Sequence, residues 1–188
     1  MADLSKKVMS GLAVTFLTLV SHSPALAVEA GKSIYSKLDI NKGCWPGKKY
    51  EEGQGAEWWC PGIQGIDVLV AEGDLRYFLG YGPDAKKQKS FSQTLSPFNY
   101  IGKTLEWRVR TTIEGNKPYA TILRYFTDSN GKKGQILVVT KVSDTDACHV
   151  AYVDALTNKN ANELAHQAAD FIAPNFNCNR NVAVIYGK

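Results

Sequence analysis

Four consecutive segments in the second half of the chain have the pattern of β-strands, and polar and apolar residues alternate along the first of them. The segments are 104–110 (TLEWRVR), 118–127 (PYATILRYFT), 135–142 (QILVVTKV) and 147–154 (ACHVAYVD). Alternation with a period of two is typical of β-strands that bury one face. Short turn sequences separate the segments, so the pattern predicts an antiparallel β-meander.

Two shorter apolar segments precede this meander, at 66–71 and 75–81, and the turn between them predicts a β-hairpin. The region 28–65 is rich in glycine and aromatic residues, so we expect irregular structure tied by a disulfide. Residues 82–103 are expected to form a long loop. Loops of this length are uncommon without a function, so this segment is the first candidate for binding.

A helix is expected after the meander, because apolar residues recur there at helical spacing. These residues are Ala161, Leu164, Ala165, Ala168 and Ile172. Asn160 and Glu163 have the spacing of a capping box, and Pro174 is expected to end the helix. The predicted fold class is therefore α+β, an antiparallel β-meander sheet with one main C-terminal helix on one face.

The N-terminus has the three-part pattern of a secretory signal peptide. Two lysines precede an uncharged stretch at 8–20, and small residues at Ala25 and Ala27 predict cleavage after residue 27. The stretch is shorter than the roughly 20 residues that span a bilayer. A buried N-terminal helix or an uncleaved anchor is the alternative. We expect a signal peptide over 1–27 and one soluble, periplasmic or secreted domain over 28–188, with no membrane span.

All four cysteines lie beyond the predicted cleavage point, at Cys44, Cys60, Cys148 and Cys178. An even number in an exported chain indicates two disulfides, for which three pairings exist. Cys44–Cys60 with Cys148–Cys178 is preferred because each bond closes a short loop. No C-x-x-C pair is present and no histidine completes a zinc pattern, so no metal site is expected. An even, bonded set also disfavours a catalytic thiol.

Turn lengths predict the register of the meander, and a slip of one residue would invert every side chain. The expected pairs are Glu106–Arg124, Trp107–Leu123, Val109–Thr121, Leu123–Val139, Ile122–Thr140, Val139–Val150 and Thr140–His149. The expected core face carries Leu105, Trp107, Val109, Leu123, Tyr125, Leu137, Val139, Cys148, Val150 and Tyr152. The expected second face carries Glu106, Arg108, Arg110, Arg124, Thr140 and His149 among Ile122, Phe126, Ile136 and Val138. With so many apolar residues, this second face is expected to be partly covered, by 82–103 or by the N-terminal aromatic segment.

Five residues of the second face are the candidate ligand-binding residues. They are Arg108, Arg110, Arg124, Glu106 and His149. Arginine forks match the geometry of carboxylates and phosphates, and a histidine donates a hydrogen bond or titrates near neutral pH. The alternative is a cross-strand salt bridge between Glu106 and Arg124, with a surface histidine that binds nothing.

Other residues have two interpretations each. Trp45, Trp58 and Trp59 flank the first expected disulfide, and they either stack on a sugar or protein partner or fill the core. The lysines within 86–89 either attract an anionic surface or are simply solvated. His166 lies between apolar helix positions and is expected to be structural or exposed.

Composition and motifs narrow the function classes. The chain has 188 residues and a formal net charge of +4. This mildly basic balance does not indicate nucleic-acid binding, for which a concentrated basic face is typical. Motifs of serine hydrolases, zinc proteases, P-loops and dinucleotide binding are absent, and no cofactor is expected. A small hydrolase acting on envelope polymers is the alternative function. It would be favoured if Glu72, Asp74 and Glu106 converged in one cleft with His149.

Several segments together carry a resemblance. They are 60–65 (CPGIQG), 70–76 (VAEGDLR), 97–99 (PFN), 104–108 (TLEWR), 120–124 (ATILR), 134–140 (GQILVVT) and 147–154 (ACHVAYVD). Over most of the chain beyond residue 27, the sequence resembles an uncharacterised group of small exported proteins of rhizobia-like proteobacteria. The resemblance implies an exported, disulfide-bonded protein, and it transfers no activity and no binding residue.

The leading functional prediction is an exported binding or interaction domain without catalysis. The arginines of the second face favour an anionic envelope ligand or a protein partner. A structural envelope protein without a ligand is the third possibility, and a fully covered second face would favour it.

Overall fold

The computed structural model describes residues 31–187, and the predicted signal peptide at 1–27 lies outside them. The strands are β1 (Lys32–Lys37), β2 (Trp45–Pro46), β3 (Ala56–Ile63), β4 (Ile66–Gly73), β5 (Arg76–Tyr81), β6 (Phe98–Thr112), β7 (Gly115–Ser129), β8 (Lys132–Val142), β9 (Ala147–Asp154) and β10 (Val184–Ile185). Helix α1 (Ala161–Gln167) continues through a π turn (Ala168–Ile172) and a 3₁₀ turn (Ala173–Asn175). Two further 3₁₀ turns, Ala85–Lys87 and Lys89–Ser92, lie between β5 and β6.

The strands form two sheets, which corrects the single sheet expected from the pattern. β6 to β9 make the expected meander, within a six-stranded sheet of order β1-β6-β7-β8-β9-β10. The expected hairpin is formed by β4 and β5, but it belongs to a second sheet of order β2-β3-β4-β5. β10 runs parallel to β9, whereas the other pairs are antiparallel. The prediction of β-structure with one main helix is confirmed, but the chain is not a pure meander.

The region expected to be irregular, 28–65, supplies β1, β2 and β3. Its pattern misleads because β3 buries a charged residue, Glu57, while Trp58 and Trp59 are only partly covered. Lys86 Nζ lies 2.7 Å from Glu57 Oε2, so the buried carboxylate is paired. A buried charged residue next to partly covered tryptophans breaks the alternation by which a half-buried strand is identified.

The six-stranded sheet is the middle of three layers. One face packs on the four-stranded sheet, with Leu105 and Trp107 fully buried between them. The opposite face packs on α1 and the turns that continue it, with Val139 and Val150 fully buried there. Because both faces are covered, the strands carry more apolar residues than a sheet with one solvated face requires.

The expected core face is therefore divided between two cores. Leu105, Trp107, Val109, Leu123 and Tyr125 face the four-stranded sheet, whereas Leu137, Val139, Cys148 and Val150 face the helix. Val138 and Ile136, which were assigned to the second face, pack with the first of these groups. The four-stranded sheet, including the N-terminal aromatic segment, thus covers one side of the central sheet.

Two short turns, together with shifts of register inside the β6–β7 and β8–β9 pairs, explain why the pairing differs from the expectation. β6 and β7 are joined across Thr112 and Gly115, and β7 and β8 are joined by Asn130-Gly131, whose φ angles are 52° and 83°. Two residues with positive φ make the tight hairpin turn that fits the strand twist. The observed pairs are Glu106–Ile122, Trp107–Thr121, Val109–Pro118, Leu123–Val138, Ile122–Val139, Val139–Ala151 and Thr140–His149. Among these pairs the last agrees with the prediction.

The helix begins where it was expected, but without the capping box. Asn160 makes no side-chain cap hydrogen bond, and Glu163 instead accepts one from the Gln167 amide at 3.2 Å. The helical segment continues to Asn175, so Pro174 lies in its last turn. The buried apolar positions are all alanine, namely Ala161, Ala165, Ala168, Ala169 and Ala173, and they let the segment lie close to the sheet.

Both expected disulfides are present, Cys44–Cys60 and Cys148–Cys178. The first ties the segment before β2 to β3, and the second ties β9 to the segment after the helix. Within 31–187, no helix is both long enough and apolar enough to cross a membrane.

The segment expected to be a long loop, 82–103, is partly regular and holds the layers together. Gln88 donates to the Tyr81 carbonyl and accepts from the Tyr81 amide, at 2.7 and 2.8 Å. Gln93 accepts a hydrogen bond from the His149 amide at 2.8 Å. The last residues of the segment, from Phe98, belong to β6.

Candidate functional site

The five residues proposed from the sequence as a ligand site do not form one surface. Glu106, Arg108, Arg110 and Arg124 lie on the helix side of the six-stranded sheet, whereas His149 lies on the side of the four-stranded sheet. The two groups are separated by the sheet itself. The environment of each residue then decides whether it is accessible to a ligand.

Arg108 is buried and bound by the protein itself. Its Nε lies 2.9 Å from Asp170 Oδ1 and its Nη2 2.6 Å from Oδ2, which is a bidentate ion pair. It also donates to Ser33 Oγ at 2.6 Å and to the Gly31 carbonyl at 2.5 Å. Burial opposes ionisation of Asp170, but hydrogen bonds from Arg108 and Tyr119 hold its pKa below the ordinary value. With four of its N–H groups engaged in this way, Arg108 is closed to an external anion.

Glu106 and Arg124 do not form the cross-strand salt bridge that was the alternative. Glu106 Oε1 lies 2.7 Å from His166 Nε2 on helix α1. Arg124 donates to Gln135 Oε1 at 3.0 Å and to Asn162 Oδ1 at 3.5 Å. Both residues therefore contact helix α1, Glu106 through His166 and Arg124 through Asn162.

His149 is a core residue, in contrast to the surface histidine that the sequence suggested. It is 2% exposed, and its Nδ1 lies 3.0 Å from the Tyr152 hydroxyl oxygen. Burial lowers the pKa of His149 to about 4. The imidazole is therefore neutral at pH 7 and out of contact with solvent.

The residues required for a hydrolase site are likewise dispersed. Glu72 and Asp74 lie at the turn between β4 and β5, where Asp74 pairs with Arg76. Glu106 lies beneath the helix, and His149 lies in the other core. The convergence that would have favoured the hydrolase is absent from the described part of the chain.

Arg110 differs from Arg108, because it lines an open cavity of about 390 Å³ beside the end of the β6–β7 hairpin. We call this cavity the basic cavity. Its lining residues are Arg110, Thr112, Lys117, Pro118, Tyr119, Lys141, Val142, Ser143, Asp144 and Pro174. Three cationic side chains thus face one carboxylate.

A tyrosine positions Arg110. The guanidinium carbon lies 4.7 Å from the centroid of the Tyr119 ring, which is a cation–π contact. The Tyr119 hydroxyl donates to Asp170 Oδ1 at 2.5 Å. Burial and this hydrogen bond raise the pKa of Tyr119 to about 12, so its hydroxyl keeps its proton. The buried pair of Arg108 and Asp170 therefore anchors the ring under Arg110.

The other two cations approach the cavity from β7 and β8. Lys117 Nζ lies 3.1 Å from Asp144 Oδ2 in an exposed ion pair. Lys141 Nζ donates to the Phe176 carbonyl at 2.7 Å, just beyond the helical segment. Among residues 31–187, no carboxylate forms an ion pair with Arg110 or with Lys141. The cavity therefore presents a local excess of positive charge.

Sequence reasoning found Arg110 but missed Lys117, Tyr119 and Lys141. Lys117 lies directly opposite Arg110 across the hairpin. Like charges at opposite positions are unfavourable, and their presence is a signal of a site for an anion. The signal is visible only with the correct register, because the expected register, which pairs Val109 with Thr121, places Arg110 opposite Ala120 and not opposite Lys117.

The remaining candidates have the following surroundings. Trp58 packs at the edge of the core between the sheets, whereas Trp45 and Trp59 line an open cavity of about 510 Å³. In the segment 86–89, Lys86 pairs with buried Glu57, Lys87 pairs with Asp84, and Lys89 donates to the Cys178 carbonyl. Over residues 31–187, no cluster of three or more histidine, cysteine or acidic side chains is arranged to hold a metal ion.

Comparisons of the chain with protein-family models, with curated protein sequences and with solved structures find no match. The function is therefore inferred from the residues of the site, the disulfides and the sequence pattern.

Proposed function

We propose that this chain is an exported domain that binds a phosphate- or carboxylate-bearing ligand in the basic cavity. The observation that supports the proposal is the convergence of Arg110, Lys117 and Lys141 on a cavity lined by a single carboxylate. A fixed, partly enclosed group of cations attracts an anion more strongly than the same charges spread over a surface.

The chemistry of the lining suits an anionic group attached to a less polar body. The Arg110 fork matches the two oxygens of a carboxylate or phosphate, and its contact with Tyr119 limits the orientations it samples. Pro118, Val142 and Pro174 add apolar surface to the same cavity. A ligand of this kind gains both ionic and apolar contacts.

Export is the second part of the proposal. Two disulfides, Cys44–Cys60 and Cys148–Cys178, are typical of proteins that fold in an oxidising compartment. The sequence pattern at 1–27, which is typical of a secretory signal peptide, also supports export. Mass spectrometry of the natural product is expected to find an N-terminus at Val28 and no free thiol. An intact N-terminus together with four free thiols would contradict export.

Binding is tested with two defined probes, inorganic phosphate and citrate, titrated separately into the protein and followed by calorimetry and by amide chemical shifts. The two probes distinguish a phosphate site from a carboxylate site. We expect at least one of them to bind, with affinity falling as salt is raised. Arg110→Gln is expected to weaken binding roughly tenfold, which is the loss of about 1.4 kcal/mol.

Arg124→Gln is the matched control. It removes the same charge from the same side of the sheet, but Arg124 is engaged with Gln135 and Asn162 and does not line the cavity. Equal weakening by Arg110→Gln and Arg124→Gln would mean that only net charge matters, and the proposed site would be wrong. The absence of any response to either anion would also reject it.

A further inference from the structure

A second open cavity lies far from the basic cavity, near the start of β6. It measures about 400 Å³, and its lining includes Tyr77, Phe98, Tyr100, Glu72, Asp128 and Lys133. We call it the aromatic groove. Residues 98 and 110 are about 40 Å apart along an extended strand, so the groove and the basic cavity lie at different ends of β6.

The groove has exposed aromatic rings that are held in fixed positions. Tyr100 is 59% exposed, yet its ring stacks on Phe126 with centroids 4.8 Å apart and planes 13° from parallel. Phe98 is 47% exposed, and the Arg76 guanidinium carbon lies 5.3 Å from its centroid. Each ring therefore has a partner within the protein while a large part of it remains accessible.

The residue between these two aromatics fixes the strand that carries them. Asn99 is buried, and its Oδ1 accepts a hydrogen bond from the Tyr77 amide at 3.0 Å. Its Nδ2 donates to the Pro97 carbonyl at 2.9 Å. Phe98 and Tyr100, on either side, project to the opposite face of β6 from Asn99. The rings are thus preorganised, which lowers the entropy lost on binding.

The groove continues past the rings into another depression. A cavity of about 180 Å³ shares Tyr77 and Tyr100 with the groove and extends to Asp39 and Lys103. The two tyrosines therefore lie between two adjoining depressions. This arrangement suits a ligand made of repeated units more than a single small molecule.

We propose that the aromatic groove binds an oligosaccharide of β-1,4-linked pyranose units with equatorial substituents. Such sugars have flat faces of C–H groups, which pack on aromatic rings whose faces carry partial negative charge. Their hydroxyls donate to carboxylates and accept from ammonium groups, and the rim carries Glu72 and the ion pair of Asp128 with Lys133. Each carboxylate has lone pairs beyond those already used within the protein, so it can also accept from a sugar hydroxyl. The linkage keeps successive rings extended, so consecutive units reach the depressions on either side of Tyr100.

The test uses three soluble tetrasaccharides, namely cellotetraose, chitotetraose and maltotetraose. Saturation-transfer NMR and amide shift titration are measured on the disulfide-bonded protein. We expect one or both β-1,4-linked probes to bind, with shifts at 98–100 and 126–133, and the α-linked maltotetraose to bind more weakly. Tyr100→Ala is expected to weaken binding at least roughly tenfold, as loss of a stacked ring does.

Tyr35→Ala is the matched control, because Tyr35 is 60% exposed and lines neither depression. Phe98→Ala supplies a second, independent loss of a ring should Tyr100→Ala fail to fold. Arg110→Gln is expected to leave sugar binding unchanged, so a failure of the basic cavity is distinguishable from a failure of the groove. The inference is overturned if no β-1,4-linked probe binds, or if Tyr35→Ala weakens binding as much as Tyr100→Ala and Phe98→Ala do.

Discussion

Two arginines on one strand have opposite roles in this protein, although they lie only two positions apart. Arg108 is 5% exposed and is paired with Asp170, which lies in the π turn after α1. Arg110 projects from the same side of β6 and is exposed, since it lies beside Pro174 near the end of the helical segment. The alternation along β6 predicts that the two share a face, but not where the helix ends. Sequence reasoning therefore identified the charged face and could not separate its structural arginine from its accessible one.

Asp170 is predicted to be essential for stability. Asp170→Asn removes the charge that balances buried Arg108, and leaving one buried charge unpaired typically costs about 3–5 kcal/mol. Urea unfolding at pH 7 measures the loss. Asp128→Asn, which removes one partner of the more exposed pair with Lys133, is the control and is expected to cost much less, because an exposed ion pair contributes little to stability.

A double replacement tests whether the loss arises from the unpaired charge. Arg108→Met with Asp170→Leu removes both charges and is expected to recover much of the stability that Asp170→Asn loses. The depressed pKa of Asp170 also means that the pair stabilises the fold above the unfolded pKa of the carboxyl. That stability is lost as pH falls through the folded pKa. A loss in Asp170→Asn no greater than in Asp128→Asn would contradict the role of the pair.

His149 is predicted to weaken the fold in mild acid. Its pKa is near 6.5 when unfolded and about 4 when folded, because burial disfavours the charged ring. Below pH 6.5 the unfolded chain takes up a proton that the folded chain does not, so stability falls until the pH reaches about 4. The lowered pKa corresponds to about 3 kcal/mol in total. Urea unfolding measured from pH 7 to pH 4 should show this decline, and His149→Gln should flatten it.

His166→Gln is the comparison for this pH dependence. His166 lies on helix α1 and is partly exposed, and its replacement leaves His149 unchanged. The variant is expected to keep the decline between pH 6.5 and 4 that His149→Gln loses. If the two variants have the same pH profile, burial of His149 does not cause the acid sensitivity.

At the scale of elements, the sequence predicts that the strands β6 to β9 exist and follow one another. It does not predict the register in which they pair. All four strands β6 to β9 were predicted, and β7, β8 and β9 lie within three residues of their expected bounds, whereas β6 begins six residues earlier than expected. Register depends on turn geometry, and the two-residue turn at Asn130-Gly131 shifts β8 by one position relative to the wider turn expected at 128–134. The second sheet was also not predicted, because buried Glu57 breaks the strand pattern of β3. Local alternation contains no information about which distant charge pairs with that carboxylate.

The bond between Cys148 and Cys178 is predicted to hold the end of the helical segment on the sheet. The two residues are 30 positions apart, and closing a loop of this length restricts the unfolded chain by about 3–4 kcal/mol. Replacing both with alanine should lower the free energy of unfolding by that amount. Amides of the π turn, Ala168–Ile172, should also exchange hydrogen faster, because the segment then opens locally.

Replacing Cys44 and Cys60 with alanine gives the matched comparison. This bond lies in the four-stranded sheet layer and closes a loop of 16 positions. It is expected to contribute about 3 kcal/mol to the free energy of unfolding. Its removal should leave exchange in the π turn unchanged relative to the global stability. Faster local exchange after removal of Cys44–Cys60, and not of Cys148–Cys178, would contradict the assignment.

At the scale of the whole molecule, the six-stranded sheet is shared by two cores. Val70 is buried between the two sheets, and Val150 is buried beneath the helix. Within residues 31–187, each outer layer buries its larger apolar core against the central sheet. Loss of either core therefore exposes one face of the central sheet to water, and this destabilises the pairing of strands on which the other core depends.

This arrangement predicts one cooperative unfolding transition, which the positions of the tryptophans make testable. The four tryptophans lie in β2, β3 and β6, and Trp107 is buried against the four-stranded sheet, so fluorescence reports on that layer and not on the helix. Val150→Ala removes contacts only from the helix core and is expected to cost about 2 kcal/mol. If the layers unfold together, Val150→Ala and Val70→Ala each shift the urea midpoint of fluorescence and of far-UV circular dichroism equally. If the helix layer unfolds by itself, Val150→Ala moves the dichroism transition and leaves fluorescence in place, because no tryptophan contacts the core that it disrupts.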